Sequence, residues 1–354
     1  MSVTIKDIAK IANVSHTTVS RALNDSSLIT QETKERIRKI AQELNYTPNY
    51  SAKSLVLDKS YNIGLFFSTL NKGTSPHFFY ETVRGVNQII KDKYNLIVRG
   101  IDDYQDYHSI NRKSFDGIIV MSQSPKDNPF LYDVIKKNIP LVVLNRKLEE
   151  AISVNILSDD CKGVYKAVEY LISLGHRDIA IIEGKEGFQS TQERKEGYLQ
   201  ALIDYGIPLR KDLMVKGNYD LESGYAAMQE LLTRQVKPSA VFCSNDDMAV
   251  GAMKAIHEKR LKVPEDISLV GFDDNVFAAF LSPTLTTVRK PIERISENGA
   301  QILLDTIHQG GLHKEPIYIH TELIIRESVK KPYRSMGGGD KIENDGTVPV
   351  AKRI

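Results

Sequence analysis

The chain has 354 residues, which is too long for one ordinary domain and predicts two or three structural units. Apolar residues make up 41% and charged residues 26%, as in ordinary globular proteins, and the formal net charge is only +2. The chain is therefore not a polycation, and any surface that binds nucleic acid must be local.

The first 60 residues carry the excess positive charge. They contain nine Lys or Arg and six Asp or Glu, a balance of +3 that leaves −1 for the rest. The two cysteines, Cys161 and Cys243, belong to no metal-type cluster, so we expect reduced core residues and neither metal nor cofactor. Without a signal segment or an apolar run of about 18 residues, a cytoplasmic protein that makes no membrane contact is expected.

Residues 4–45 predict three short helices. Thr4, with Asp7 three residues later, can form a capping box before apolar residues at helical spacing. Ser15 can cap a second helix and Thr30 a third, each with one apolar face. The pattern fits a DNA-binding head over residues 1–47, but a generic three-helix bundle has the same periodicity.

A linker follows the head at residues 48–60. Pro48 ends the third helix, and 49–57 have the length of about two helical turns. Because so short a helix is unstable alone, this segment needs a partner surface on which to fold.

From residue 61 onward, apolar β-rich runs alternate with amphipathic helical runs. The strand-like runs are 62–67, 96–100, 117–121, 141–144, 179–183, 240–244 and 268–272. The helix-like runs are 79–93, 127–137, 162–174, 191–205, 221–234, 246–259 and 291–308. The alternation predicts an α/β core over 61–329, made of two doubly wound parallel-sheet lobes with a ligand in the crevice between them. Residues 330–354, with a Gly triplet and few large apolar groups, are expected to be a disordered tail.

Catalytic signatures are missing from the sequence. HExxH, GxSxG and GxxxxGK[ST] do not occur, and neither cysteine stands with a histidine in a known local pattern. His176, in GHRD, is predicted to be a structural or a surface residue. We therefore expect no enzyme.

Specific motifs are spread in order along nearly the whole chain. They include VTIKDIAKIANVSHTTVSRALN at 3–24, ELNYTPNYSAKSL at 43–55, ERKEGYLQAL at 193–202, SNDDMAVGAMKAI at 244–256 and VPEDISLVGFDDN at 263–275. Together they closely resemble the lac/gal repressor family of bacterial transcription regulators. The resemblance implies a small all-α helix-turn-helix head joined to a periplasmic-binding-protein-like core that binds a small effector.

The resemblance implies which residues of the head contact DNA. The second helix lies in the major groove, with His16 and Thr17 at the family's main base-reading positions and Arg21 at a third. A guanidinium there can bind guanine O6 and N7, although a solvated helix arginine is the alternative. The other implied contacts, several of them to phosphates, are Thr4, Ser15, Thr18, Ser20 and Asn24.

In this family the hinge helices of two subunits enter the minor groove, where a leucine from each wedges between base pairs. Leu55 occupies that position, and Ala52 and Lys53 flank it as groove contacts; packing of Leu55 against the core is the alternative. Because one hinge helix cannot fold alone, the resemblance implies a homodimer on a near-palindromic operator.

The family's core crosses between its lobes three times. Here that implies lobe one at about 61–158 and 288–320 and lobe two at about 159–287 and 321–329. The implied effector contacts are Phe79, Asp159, Arg194, Asn245 and Asp273, a set suited to the hydroxyls of a neutral polyol. For Asn245 a helix cap is the alternative, and for Asp273 a turn.

The chain departs from the family at 76–79, where PHFF replaces the common NPFF, so the role of His77 is open. With no tryptophan in the chain, stacking on a sugar falls to Phe79, Phe188, Phe242 or Phe280. Arg146 is predicted either to face the cleft or to lie on the surface.

The sequence thus predicts a transcription regulator, a repressor, whose operator affinity is switched by a small sugar-like metabolite bound between two lobes. A soluble sugar carrier with a vestigial head is the alternative, which the intact head and the missing export signal oppose.

Overall fold

The computed structural model describes residues 3–23, 25–44, 46, 59–70, 73–148, 153–310 and 315–332. Within these ranges the chain forms the predicted helical head and the two predicted α/β lobes. The helices are α1 (Ile5–Ala12), α2 (His16–Leu23), α3 (Gln31–Glu43), α4 (Pro76–Ile90), α5 (Asn128–Lys136), α6 (Asp160–Ser173), α7 (Gln189–Asp204), α8 (Leu221–Thr233), α9 (Asp246–Glu258) and α10 (Ile292–Gln309).

The head is held together by a small apolar core and by caps at its helix starts. Ile8, Val19 and Ile37, one from each helix, are fully buried in that core. At the start of α1 the backbone N–H of Thr4 donates to Asp7 Oδ2 at 2.9 Å, which completes the predicted capping box. The Thr30 hydroxyl accepts from the N–H of Thr33 at 3.4 Å at the start of α3.

Lobe one contains a six-stranded sheet that is parallel throughout. Its strands are β1 (Asn62–Phe67), β2 (Asn95–Gly100), β3 (Gly117–Met121), β4 (Leu141–Leu144), β5 (Val154–Ser158) and β11 (Ile317–Ile319). Their order across the sheet is β11-β5-β4-β3-β1-β2.

Lobe two contains a second six-stranded sheet, parallel except where β10 pairs with β12. Its strands are β6 (Ile179–Glu183), β7 (Met214–Lys216), β8 (Ala240–Cys243), β9 (Ser268–Asp273), β10 (Thr286–Arg289) and β12 (Glu322–Ile324). Their order is β12-β10-β9-β8-β6-β7.

Each sheet has an apolar core on both faces, which explains why its central strands read as continuous apolar runs. In β3, Ile119 and Met121 belong to one core of lobe one, while Ile118 and Val120 belong to the other. Strand β8 divides in the same way between the two cores of lobe two. Helices therefore cover both faces, as a doubly wound sheet requires.

The chain passes between the lobes three times, after β5, after β10 and between β11 and β12. The second crossing lies later than the expected residue 288, because β10 continues to Arg289 within the second sheet. The disordered tail was predicted to begin at residue 330, which is also too early. The Lys330 N–H donates to Ser268 Oγ at 3.1 Å and its carbonyl lies 2.8 Å from His176 Nε2, so this residue packs on lobe two.

Candidate functional site

A cavity lies between the lobes where the carboxyl ends of both sheets meet. Residues that follow β3, β4 and β8 and the last residue of β9 line it, as expected for parallel sheets. It keeps about 30 Å³ of free space, room for little more than water molecules. The lining residues are Gly73, Ser75, Phe78, Gln123, Asn145, Phe188, Ser190, Arg194, Tyr219, Asn245, Asp273 and Lys290.

Arg194 is the central cation of this cavity. Its Nε and Nη2 atoms lie 3.0 and 2.9 Å from Asp160 Oδ2, and its Nη1 donates to the carbonyl of Ser244. The guanidinium carbon lies 3.7 Å from the centre of the Phe272 ring. These contacts hold a buried, planar donor group in one orientation, which is what selective recognition of hydroxyl or carboxylate oxygens requires.

The placement of Arg194 depends on close packing between α6 and α7. A side chain at Gly197 would collide with the backbone carbonyl of Cys161 on the facing helix. The glycine three residues after Arg194 therefore lets α7 approach α6. This explains the R-x-x-G spacing, with the arginine at the cavity and the glycine at the helix contact.

Lys290, on the second crossing segment, joins the two lobes. Its Nζ donates to Asn145 Oδ1 of lobe one at 2.6 Å and lies 3.2 Å from Asp160 of lobe two. Burial raises the pKa of Asp160, but the charges of Lys290 and Arg194 outweigh it and bring the pKa to about 2. Asp160 therefore stays ionised and holds both cations, and its contribution to stability is lost only as the pH falls below its unfolded value towards 2.

Asp273 faces Arg194 from the end of β9. Its Oδ1 lies 3.5 Å from Arg194 Nη2, and its backbone has a left-handed φ of 106°. Burial raises the pKa of Asp273, although Arg194 opposes that change. Asp274 is not a ligand group, because it pairs with Arg289 and Arg326, each at 2.7 Å. The backbone changes direction here through two left-handed residues, and of the two aspartates Asp273 is the one that lines the cavity.

Asn245 caps a helix, as the alternative predicted, and it also lies on the cavity lining. Its Oδ1 accepts from the N–H of Met248 at 2.9 Å and caps α9, while its Nδ2 donates to the Tyr219 carbonyl at 3.1 Å. The same side chain lines the cavity. The neighbouring Asp246 is fully buried and accepts from Thr287 Oγ1 and from the N–H of Asn275. Asp246 therefore fixes the turn that carries Asp273.

Two expected effector contacts lie beside the cavity rather than on its lining. Asp159 accepts from the Thr321 N–H at 2.7 Å and contacts His320, so it anchors the third crossing, and Asp160 is the aspartate that reaches Arg194. Phe79 packs against the lobe-one core beside Phe67, and Phe78 lines the cavity instead. Phe78 and Phe79 face different ways because consecutive helical residues point about 100° apart. Neither Asp159 nor Asp160 belongs to the lining itself.

The phenylalanines that were candidates for stacking on a sugar lie in different places. Phe188 lines the cavity and stacks on Tyr219, with ring centres 6.2 Å apart. Phe242 is fully buried in the core of lobe two, and Phe280 is 82% exposed. His77 contributes charge that lowers the pKa of Asp273 from across the cleft.

Sequence reasoning missed six polar lining residues: Gln123, Asn145, Lys290, Ser75, Ser190 and Tyr219. The first two follow β3 and β4, so their place after buried strands was the available signal. Gln123 is 6% exposed and its Oε1 has no hydrogen-bond partner among the described residues. A buried acceptor of this kind is ready for a donor on a ligand.

Glu193 precedes Arg194 on α7. Burial, together with the charge of Asp160, raises its pKa to about 7. Between about pH 4.5 and 7 the unfolded chain releases this proton and the folded chain keeps it, so stability falls as the pH rises through this window. Glu193→Gln should remove this pH dependence. Between pH 4.5 and 7 the free energy of unfolding of the variant should therefore fall by roughly 2 kcal/mol less than that of the wild type. Urea titrations across this pH range, with the exposed Glu196→Gln as control, test this; parallel curves for Glu193→Gln and wild type would contradict it.

In the head, α2 presents a polar face. Ser15, His16, Thr17 and Arg21 are exposed there, while Val19 and Ala22 are buried. Thr17 and Arg21 are one helical turn apart, so they share a face. The Ser15 hydroxyl accepts from the Thr18 N–H at 3.0 Å, which confirms the predicted cap.

The remaining DNA-contact predictions divide in two. Thr4 is exposed, and Thr18 and Ser20 are half-buried, on the first two helices. Asn24, Ala52, Lys53 and Leu55 lie outside the described residues. The predictions for these four positions stay predictions.

Comparison with known proteins identifies the family. Residues 4–49 match the family of bacterial regulatory proteins called lacI, and residues 168–329 match the periplasmic binding protein-like domain. The probable HTH-type transcriptional repressor ExuR of Bacillus subtilis (strain 168) is 56% identical over 329 residues, which cover 93% of this chain and 99% of that protein. This chain belongs to the lacI family.

Other members of the lacI family agree over similar lengths. The ribose operon repressor of Haemophilus influenzae is 35% identical, over 92% of this chain and 98% of that protein. The lac repressor dimer bound to operator and the anti-inducer ONPF has a TM-score of 0.80 at 26% identity, over 93% of this chain and 100% of that one. A CelR–cellobiose complex has a TM-score of 0.70 at 28% identity, over 92% and 99%.

As a lacI-family member, the chain is a DNA-binding transcription regulator of the repressor type with an effector-binding core. Among the described residues, no helix is long and apolar enough to span a membrane.

Proposed function

We propose that a small polyhydroxylated metabolite, a sugar or sugar derivative, binds at Arg194 between the lobes and thereby sets the affinity of the head for its operator. The observation that carries the proposal is the buried donor and acceptor set around Arg194, Asn245 and Asp273, with Phe188 beside it. Polyols need this mixture, since each hydroxyl both donates and accepts. The names of the ribose operon repressor and the CelR–cellobiose complex support the same ligand class.

The narrow cavity supports a switch between two lobe arrangements. With about 30 Å³ free, a sugar enters only if the lobes move apart or the lining side chains rearrange. Lys290 bonds to both lobes, so such movement changes the contacts at the crossing segment. The ligand then shifts the equilibrium by its difference in affinity for the two arrangements.

The proposal includes a homodimer acting in the cytoplasm on a near-palindromic operator, through the head and the hinge at 48–60, and no catalytic activity. The similar lac repressor dimer bound to its operator supports this assembly by analogy. Two heads related by two-fold symmetry match the two halves of such a site.

A thermal-shift screen tests the ligand class. The library holds neutral sugars, sugar acids, sugar phosphates and nucleobases. A ligand at about a hundred times its dissociation constant adds roughly 2.7 kcal/mol to stability, a shift of a few degrees. A sugar or sugar derivative that stabilises the protein and changes operator binding supports the proposal. Stabilisation by nucleobases alone would contradict it.

Leu55→Ala tests the hinge. Loss of the wedge should weaken specific operator binding and reduce DNA bending while effector binding stays the same, because the wedge stabilises only the bent complex. Anisotropy titrations and a gel-based bending assay measure the two effects. Unchanged operator affinity in this variant would remove Leu55 from the DNA interface.

A further inference from the structure

A second and larger cavity lies between the lobes. It has about 870 Å³ of free space, against about 30 Å³ in the cavity at Arg194. Lobe one supplies Lys126, Arg146 and Lys147 to its lining, and lobe two supplies Gln189 and Gln192. The space is large enough for a small metabolite without any rearrangement.

Among the described residues, the charged side chains that line the second cavity are all cations: Lys126, Arg146 and Lys147. Lys126 and Lys147 are exposed, and neither ammonium group forms an ion pair with a described residue. Their charges are therefore available to a ligand, and the potential inside the cavity favours anions.

Arg146 gives the cavity a fixed donor at its base. It is only 4% exposed, its Nε donates to Ser122 Oγ at 2.8 Å, and its Nη2 donates to Asn128 Oδ1 at 2.6 Å. The side chain predicted either to face the cleft or to lie on the surface is thus buried and oriented. A guanidinium held in this way loses little conformational entropy when it binds a planar or tetrahedral oxyanion.

One helix start adds to the same potential. Gln189 begins α7 and lines the cavity. No side chain caps the first turn of α7, because its N-cap residue is Phe188. The positive end of α7 therefore reinforces the three cations. The start of α5 adds nothing, because the buried carboxylate of Asp127 lies there.

The second cavity is distinct from the one at Arg194. The backbone N–H of Gln189 donates to the Gln123 carbonyl at 2.9 Å, which joins the lobes between the two spaces. The two linings have no residue in common. A ligand can thus occupy one without contact with the other.

We propose that the second cavity binds a small phosphate-bearing metabolite. Three cations suit a dianion better than a single carboxylate, and the neutral amides of Gln189 and Gln192 can bond to the rest of the molecule. Because both lobes contribute contacts, the bound anion stabilises the present lobe arrangement. It therefore changes the response to the effector at Arg194, a consequence that rests on the proposed function.

Direct binding to the full-length protein tests the site. Calorimetry or thermal shift with inorganic phosphate, glycerol 3-phosphate and ribose 5-phosphate is carried out at constant ionic strength, with ribose as the neutral control. The Lys126→Gln/Lys147→Gln variant should bind the phosphate esters about tenfold more weakly or worse. Lys136→Gln, an exposed lysine on α5 outside the cavity, should leave binding unchanged.

Further variants separate this site from the one at Arg194. The proposal expects phosphate binding to persist in Arg194→Lys and neutral-sugar binding to persist in the double lysine variant. Glu149→Gln/Glu150→Gln, at positions outside the described residues but next to Leu148, should bind phosphate as tightly or more tightly. Wild-type protein that binds no phosphate compound, or phosphate binding lost in Arg194→Lys and kept in the double variant, overturns the proposal. The first result leaves the proposed effector site untouched, whereas the second would place the phosphate compound at Arg194.

Discussion

Arg194→Lys should abolish the response to the effector while operator binding without effector stays within about twofold of wild type. Lysine keeps one positive charge beside Asp160 but loses the planar fork whose Nε and Nη2 lie 3.0 and 2.9 Å from that carboxylate. Without that fork the donors that face the cavity lose their fixed orientation, so effector affinity should fall by about 100-fold, roughly 2.7 kcal/mol of binding free energy. Calorimetry with the ligand from the thermal screen measures this.

The lysine variant is the informative one because Arg194→Ala also removes a partner from two buried carboxylates. Of its two cations Asp160 would keep only Lys290, and Asp273 would lose the guanidinium that faces it. Such a loss costs about 3–5 kcal/mol of folding free energy, which alone could unfold the core. Asp159→Asn is the matched control, since Asp159 lies beside the cavity and bonds to Thr321. If Asp159→Asn and Arg194→Lys lose effector affinity equally, the Arg194 guanidinium has no specific role in effector binding.

Arg21→Ala should weaken specific operator binding by about 1–3 kcal/mol, roughly 5- to 150-fold, and relax sequence preference at one base pair. The Arg21 guanidinium is exposed on the polar face of α2, one turn from Thr17, and among the described residues it has no ion-pair partner. It is therefore free to bind a base. Anisotropy titrations against the operator and its single-base variants measure both effects.

The control for this experiment is Arg112→Ala, which removes an exposed arginine from lobe one. The two variants have the same net charge. A difference between their operator affinities therefore comes from a direct contact of Arg21 with DNA and not from the overall charge of the protein. A loss that is uniform across operator variants, with the salt slope reduced by about one, would mean that Arg21 contacts phosphate instead of a base.

The architecture was predictable because the central strands carry almost nothing but apolar residues. β1, β3 and β8 are buried on both faces, so their runs stand out from the amphipathic helices between them. Strand β5 was missed because Asn155 and Ser158 interrupt its apolar run. The three-residue strands β7, β11 and β12 are too short to show a period.

The candidate site was only partly predictable, and the reason is geometric. Arg194, Asn245 and Asp273 stand in extended motifs, whereas Asp159 and Asp160 are neighbours whose directions depend on the backbone at the start of α6. The sequence holds no information on which carboxylate turns inward. Lys290 was missed because a lone lysine normally lies in water, and only the lobe crossing buries it beside Asp160.

One measurement tests the central claim most directly: operator affinity with and without the ligand from the thermal screen, in wild type and in Arg194→Lys. The account predicts that the ligand changes the operator affinity of the wild type by about tenfold or more, within the usual range of coupling energies, and leaves that of the variant unchanged. An equal ligand-induced change in both proteins, or none in a wild type that demonstrably binds the ligand, would contradict the claim that the site between the lobes controls DNA binding.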